Sequence, residues 1–110
     1  MTVNFQHQSL AAGRWSNFSL AEQLGNIGSE VGRASRARDD EKRFNGAVTR
    51  ALELFDLTIS DPRWRKRLKE IARARELFCA AVFGGNEYGT SLEDLDNYFY
   101  YFAFAARSNL

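Results

Sequence analysis

Between Ser60 and Phe83 the chain reads SDPRWRKRLKEIARARELFCAAVF, the one stretch where charge, aromatic rings and helix signals concentrate. Arg63, Arg65, Lys66, Arg67, Lys69 and Arg73 spread over the outer two-thirds of the helix this stretch predicts. Cations at helical spacing can follow a nucleic-acid backbone, and Trp64 or a tyrosine could add stacking on bases. The competing reading is a solvated face on which Glu70 pairs with Arg63, Lys66 or Arg73; exposed pairs of that kind contribute only about 0.2–0.5 kcal/mol. The chain holds 15 Lys and Arg against 14 Asp and Glu, so no global polycation announces a nucleic-acid partner. The solvated face is therefore favoured, and nothing resembles a helix-turn-helix reading head.

Arg75 falls in the middle of the apolar line Trp64, Leu68, Ile71, Phe78 and Val82. An arginine on a buried stripe needs a charged or carbonyl partner to offset desolvation. Glu30, at the edge of the apolar arc of the first helix, is the expected partner; the alternative is a phosphate or carboxylate ligand held between helices. Catalysis finds little to work with. His7 sits in an irregular segment and reads as a solvated residue. Cys79 lies beside the apolar stripe with no second histidine to activate it, which suits an inert thiol. A single cysteine and a single histidine exclude an internal disulfide and every Cys/His zinc pattern within one chain. The pair Glu53-x-x-Asp56 is similar to the second half of the E-x-x-E and E-x-x-D magnesium motifs of MazG-type nucleotide pyrophosphohydrolases, but the first half is missing. No catalytic residue, metal or cofactor is assigned.

The aromatic ending NYFYYFAF offers the clearest positive sign. Leu92, Leu95, Phe99, Phe102 and Ala106 form the inner stripe of a last helix, while Tyr100, Tyr101 and Phe104 project from its opposite side. A helix that is apolar all round is usually covered all round. The expected cover is a second copy of the chain, then a partner protein, then the amino-terminal segment with Trp15 and Phe18. β propensity would also allow a strand here, but the cap signal, the inner stripe and the preceding helices favour a helix.

Four helices must position these residues. Ser19-Leu20-Ala21-Glu22 has the form of a capping box and starts the first; Leu20, Leu24, Ile27, Val31 and Ala34 follow at helical spacing, flanked by a bare stripe of Ala21, Gly25, Gly28 and Gly32. Interior glycines cost about 1 kcal/mol each against alanine, so the stripe predicts close approach of another helix; a phosphate loop lacks its strand and its lysine. Asp39 or Asp40 caps a second helix running to about Ile59. Asp61-Pro62 caps a third, from Pro62 to Phe83, antiparallel to the second. After the loop Gly84–Gly89, Thr90-Ser91-Leu92-Glu93 offers a capping box for the fourth. No apolar run reaches the roughly 18–20 residues of a membrane span, and no secretion signal opens the chain; a cytoplasmic location is expected.

The segments SLAEQLGNIGSEVGRA, RALELFDLTISDPRWRKRLKEIARARE and YFYYFAFAAR resemble those of a group of small uncharacterised bacterial helical-bundle proteins of about this length. That resemblance spans Ser19 to Arg107 and implies a helical bundle without supplying site residues. The architecture also looks like the small bundle proteins encoded within ribosomal RNA intervening sequences or beside diversity-generating retroelements, an analogy of fold only. The sequence thus predicts an all-α, up-and-down four-helix bundle over residues 19–110, preceded by an irregular segment over 1–18. Its expected role is that of a non-enzymatic, homo-oligomeric interaction or scaffold protein. The alternatives are an RNA or single-stranded DNA binding bundle using the third helix and, more weakly, a magnesium-dependent nucleotide hydrolase.

Overall fold

A computed structural model describes residues 13–84 and 89–108. It contains four helices, α1 (Leu20–Arg36), α2 (Glu41–Ile59), α3 (Leu68–Phe83) and α4 (Leu92–Ser108), with short 3₁₀ turns at Trp15–Asn17 and Pro62–Arg67. No strand occurs among the described residues, so the aromatic ending is helical and the chain is an all-α four-helix bundle. Each helix packs on its chain neighbours and α1 closes the ring against α4. His7, Val3, Phe5, Leu10 and the loop positions 85–88 lie outside the described residues. Among the described residues no helix is long and apolar enough to cross a membrane.

α1 begins where its cap dictates. The Ser19 hydroxyl accepts from the Glu22 amide at 3.1 Å and the Ser19 amide donates to Glu22 Oε1 at 2.8 Å, which satisfies two donors that a helix start would otherwise leave unpaired. The glycine stripe of α1 is the seat of α4. A β-carbon built at Gly28 would stand 2.4 Å from Phe99 Cβ, and one at Gly25 would stand 3.0 Å from the Ala103 Cα. The missing side chains let the two backbones approach, and the lost helix propensity is recovered as contact.

The core is built around Phe55 of α2, which meets Phe78 of α3 at 5.8 Å and Phe99 of α4 at 5.9 Å between ring centroids. All three rings are fully buried, together with Ile27, Val31 and Ala34 of α1 and Leu92 and Leu95 of α4. Asp40 caps α2 by accepting from the Arg43 amide. The cap of α4 lies one residue later than the sequence suggests: Ser91, not Thr90, accepts from the Asp94 amide at 3.0 Å, and Asp94 Oδ2 accepts from the Ser91 amide at 3.1 Å. The shift releases Glu93, which accepts instead from Ser35 and Arg38 at the end of α1.

At the other end of the bundle the turn Trp15–Asn17 packs onto it: Trp15 is buried, and its indole N–H donates to Thr58 Oγ1 of α2 at 3.2 Å. One expectation about this end requires correction, because the third helix does not run unbroken from Pro62. Asp61 caps and Pro62 opens a 3₁₀ segment with a kink at Trp64 (φ −103°, ψ 21°), and the α-helix starts only at Leu68. The break leaves Leu68 as the exposed first residue of α3, while Trp64 packs against the core from the 3₁₀ turn rather than from the helix.

The kink has a partner that explains it. Gln23 of α1 is fully buried. Its amide nitrogen donates to the Trp15 carbonyl at 3.0 Å and to Asp61 Oδ2 at 3.2 Å, while its carbonyl oxygen accepts from the Trp64 indole at 3.0 Å. One glutamine thus ties together the amino-terminal turn, α1, the α2–α3 connection and the 3₁₀ segment, with each of its polar atoms engaged as burial requires.

Candidate functional site

The six cations around α3 divide into two groups. Arg63 is committed to the clasp: it holds Asp61 at 2.7 Å, donates to the Phe18 carbonyl at 2.9 Å, and lies 4.3 Å from the Trp64 ring centroid. The Arg63 guanidinium in turn draws the Asp61 carboxyl down to about pH 2, against the opposing effect of burial. Arg67 pairs with Glu70 and Arg73 with Glu76. Arg65, Lys66 and Lys69 are exposed and make no ion pair among the described residues. Glu70 pairs with Arg67 of the 3₁₀ turn, Arg63 is held by Asp61, and Arg73 reaches Glu76 one turn further along α3.

Arg75 and Glu30 do not meet. The Arg75 side chain is 35% exposed and pairs with Asp56 across the α2–α3 seam at 3.1 Å; it also approaches the Cys79 sulfur at 3.7 Å. Ala74 rather than Arg75 fills the buried line between Ile71 and Phe78, which leaves Arg75 one position round at the edge of the interface, where its stem packs and its head reaches solvent. Cys79 is half-buried rather than a core thiol. Asp56, once paired with Arg75, faces a cation rather than an acidic partner, and no group of three or more His, Cys, Asp or Glu able to hold a metal occurs among the described residues.

Glu30 has a different environment, which sequence reading missed. Its side chain is only 7% exposed and bonds Arg33 at 2.7 Å from the next turn and Arg50 of α2 at 3.2 Å. These arginines stand in a cleft of about 710 Å³ between the end of α1 and the start of α2, lined also by Arg36, Lys42, Arg43 and Asp40. Gly46 lies on the cleft wall facing Arg50. Its residues come from two helices, with Arg33 and Arg50 far apart in sequence and each unremarkable alone. The available signal was Glu30 itself, an acid at the edge of an apolar arc.

The outer side of α4 is as the spacing predicts. Tyr100, Tyr101 and Phe104 are 57%, 73% and 55% exposed, whereas Phe99 on the opposite face is fully buried. Trp15 belongs to the bundle core and Phe18 packs against it. α3 and α4 meet along a looser seam, where an apolar groove of about 280 Å³ runs between Ala74, Leu77, Leu95 and Tyr98. At its rim the Tyr98 hydroxyl donates to Glu70 at 3.3 Å; burial raises the tyrosine pKa, and the neighbouring Glu70 charge adds to the shift. Hydrogen bonding from Arg67 lowers that of Glu70.

No family model, curated protein or solved structure matches the chain.

Proposed function

We propose that the protein is a non-enzymatic interaction scaffold that self-associates through the outer face of α4. The observation that carries this reading is the exposure of Tyr100, Tyr101 and Phe104 on a helix whose inner face is already sealed. At about 150–250 Å² per aromatic side chain they present roughly 400 Å² of exposed surface, a patch size that in monomers is often functional. From Asn97 through Tyr100 and Tyr101 to Phe104 this face carries no charge. A second copy can therefore meet it about a two-fold axis, where each patch faces itself, without like-charge repulsion. Other proteins could use the same rings as anchors. The half-buried, unpaired thiol of Cys79 fits a cytoplasmic setting.

Light scattering coupled to gel filtration at tens of micromolar tests the reading. A dimer or larger assembly is expected, with Tyr101→Glu and Phe104→Glu shifting it to monomer at unchanged helicity; a wild-type monomer over the whole concentration range rejects it. A second reading, nucleic-acid binding by the start of α3, draws on Arg65, Lys66 and Lys69. Retention on immobilised heparin should then fall with salt and with Lys66→Glu and Lys69→Glu. Retention indifferent to both would end it.

A further inference from the structure

We infer that the cleft between the end of α1 and the start of α2 is a binding site for a soluble polyphosphate group, the di- or triphosphate class of anion. Five cations, Arg33, Arg36, Lys42, Arg43 and Arg50, line the cleft, against Asp40 on its wall and Glu30 bonded to two of them. Among the described residues these groups carry an excess of three positive charges in one concavity, in a chain whose formal net charge is +1. The balance matches a multiply charged anion better than a single carboxylate.

Glu30 is what makes the cluster a site. A carboxylate that is only 7% exposed, bonded at 2.7 Å to Arg33 and at 3.2 Å to Arg50, fixes two flexible side chains before any ligand arrives. Ordering them in advance lowers the entropic cost of binding. The Arg33–Glu30 ion pair runs through Nη1, and a guanidinium carries five N–H donors, so Arg33 keeps donors for an anion and is itself 57% exposed. Arg36 and Lys42 make no ion pair among the described residues. The start of α2 is already capped by Asp40, which accepts from the Arg43 amide.

Size and lining select the class of ligand. A cleft of about 710 Å³ lies within the 300–1,000 Å³ typical of small-molecule sites. Among the described residues no aromatic ring lines it, and these supply no platform for stacking a base. The cations converge in one cleft between two helices rather than forming a track that a strand could follow. The site therefore reads phosphates, and a nucleotide would be held by its phosphate chain with little regard for its base.

Calorimetric titration with inorganic tripolyphosphate tests this directly. Saturable binding is expected, with ATP and GTP binding alike and orthophosphate more weakly. Arg33→Ala and Arg36→Ala should each weaken tripolyphosphate binding about tenfold, equivalent to about 1.4 kcal/mol. Lys66→Ala and Lys69→Ala on the far basic face should leave it unchanged. The substituted side chains are solvent-exposed, so unchanged thermal melting is expected; if Arg33→Ala melts early, Arg36→Ala and Lys42→Ala carry the comparison. Absence of saturable heat at millimolar tripolyphosphate overturns the assignment, as does equal weakening by the Lys66 and Lys69 variants. Single-stranded RNA binding that strengthens with length while tripolyphosphate fails to bind would move the cleft to a nucleic-acid backbone and overturn it too.

Discussion

At the scale of single residues, Gln23 and Asp61 decide how the ends of four elements are held. Gln23→Leu would keep the volume but leave the Trp64 indole and the Trp15 carbonyl without their partner. Buried polar groups so orphaned cost about 1–3 kcal/mol each, and urea denaturation should show a loss of about 2–4 kcal/mol. Trp15→Ala should cost about 3–5 kcal/mol by the same measurement, as expected for a large ring removed from a packed site. Asp61 adds a pH dependence. Its folded pKa is lowered from 3.8 to about 2, so its stabilisation is complete above about pH 4 and is lost as pH falls from there to about 2. The side chain is 6% exposed, and a stabilisation of about 1–2 kcal/mol is expected. Asp61→Asn should flatten the stability curve across that window and leave its shape above pH 5 unaltered. None of this clasp was legible in the sequence, because glutamine is ordinarily a surface residue and its three partners are scattered from position 15 to 64. The Asp61-Pro62 cap was legible, since its signal is local.

Elements were legible in proportion to how local their signals are. The Ser19 capping box, the Asp40 cap and the periodic faces of α1, α2 and α4 placed those helices, and the glycine stripe pointed to a close neighbour that proved to be α4. The kink at Trp64 was not foreseen: Pro62 and the run of cations are compatible with an α-helix, and a tertiary bond to Gln23 accompanies the 3₁₀ geometry instead. The glycines supply a paired test. Gly28→Ala improves helix propensity yet would set a β-carbon 2.4 Å from Phe99 Cβ, so it should destabilise by about 1–3 kcal/mol as an overpacked core does. Gly46→Ala meets only the Arg50 side chain, at 3.4 Å, and should stabilise by about 0.5–1 kcal/mol. Opposite signs from the same chemical change, read as shifts in melting temperature, would separate backbone approach from propensity.

For the molecule as a whole, the two candidate surfaces draw on different parts of the fold, and their variants can be read independently. The α4 face was visible because three rings within two turns of one helix violate the usual one-sided pattern. The α1–α2 cleft was not, because it assembles only when two helices dock and bring Arg33 and Arg50 to one carboxylate. Charge counting along the chain drew attention to α3 instead, where Arg63, Arg67 and Arg73 prove to be paired. The close seam between α1 and α4 has a kinetic consequence. All of α2 and α3 lies between these partners, so the bare face of α1 stays without its counterpart until α4 has left the ribosome. A chain ending at Gly84 and freed from the ribosome would expose Ile27, Phe55 and Phe78 to proteases and chaperones, and resistance to limited proteolysis should appear only in chains that also carry Phe99 and Ala103.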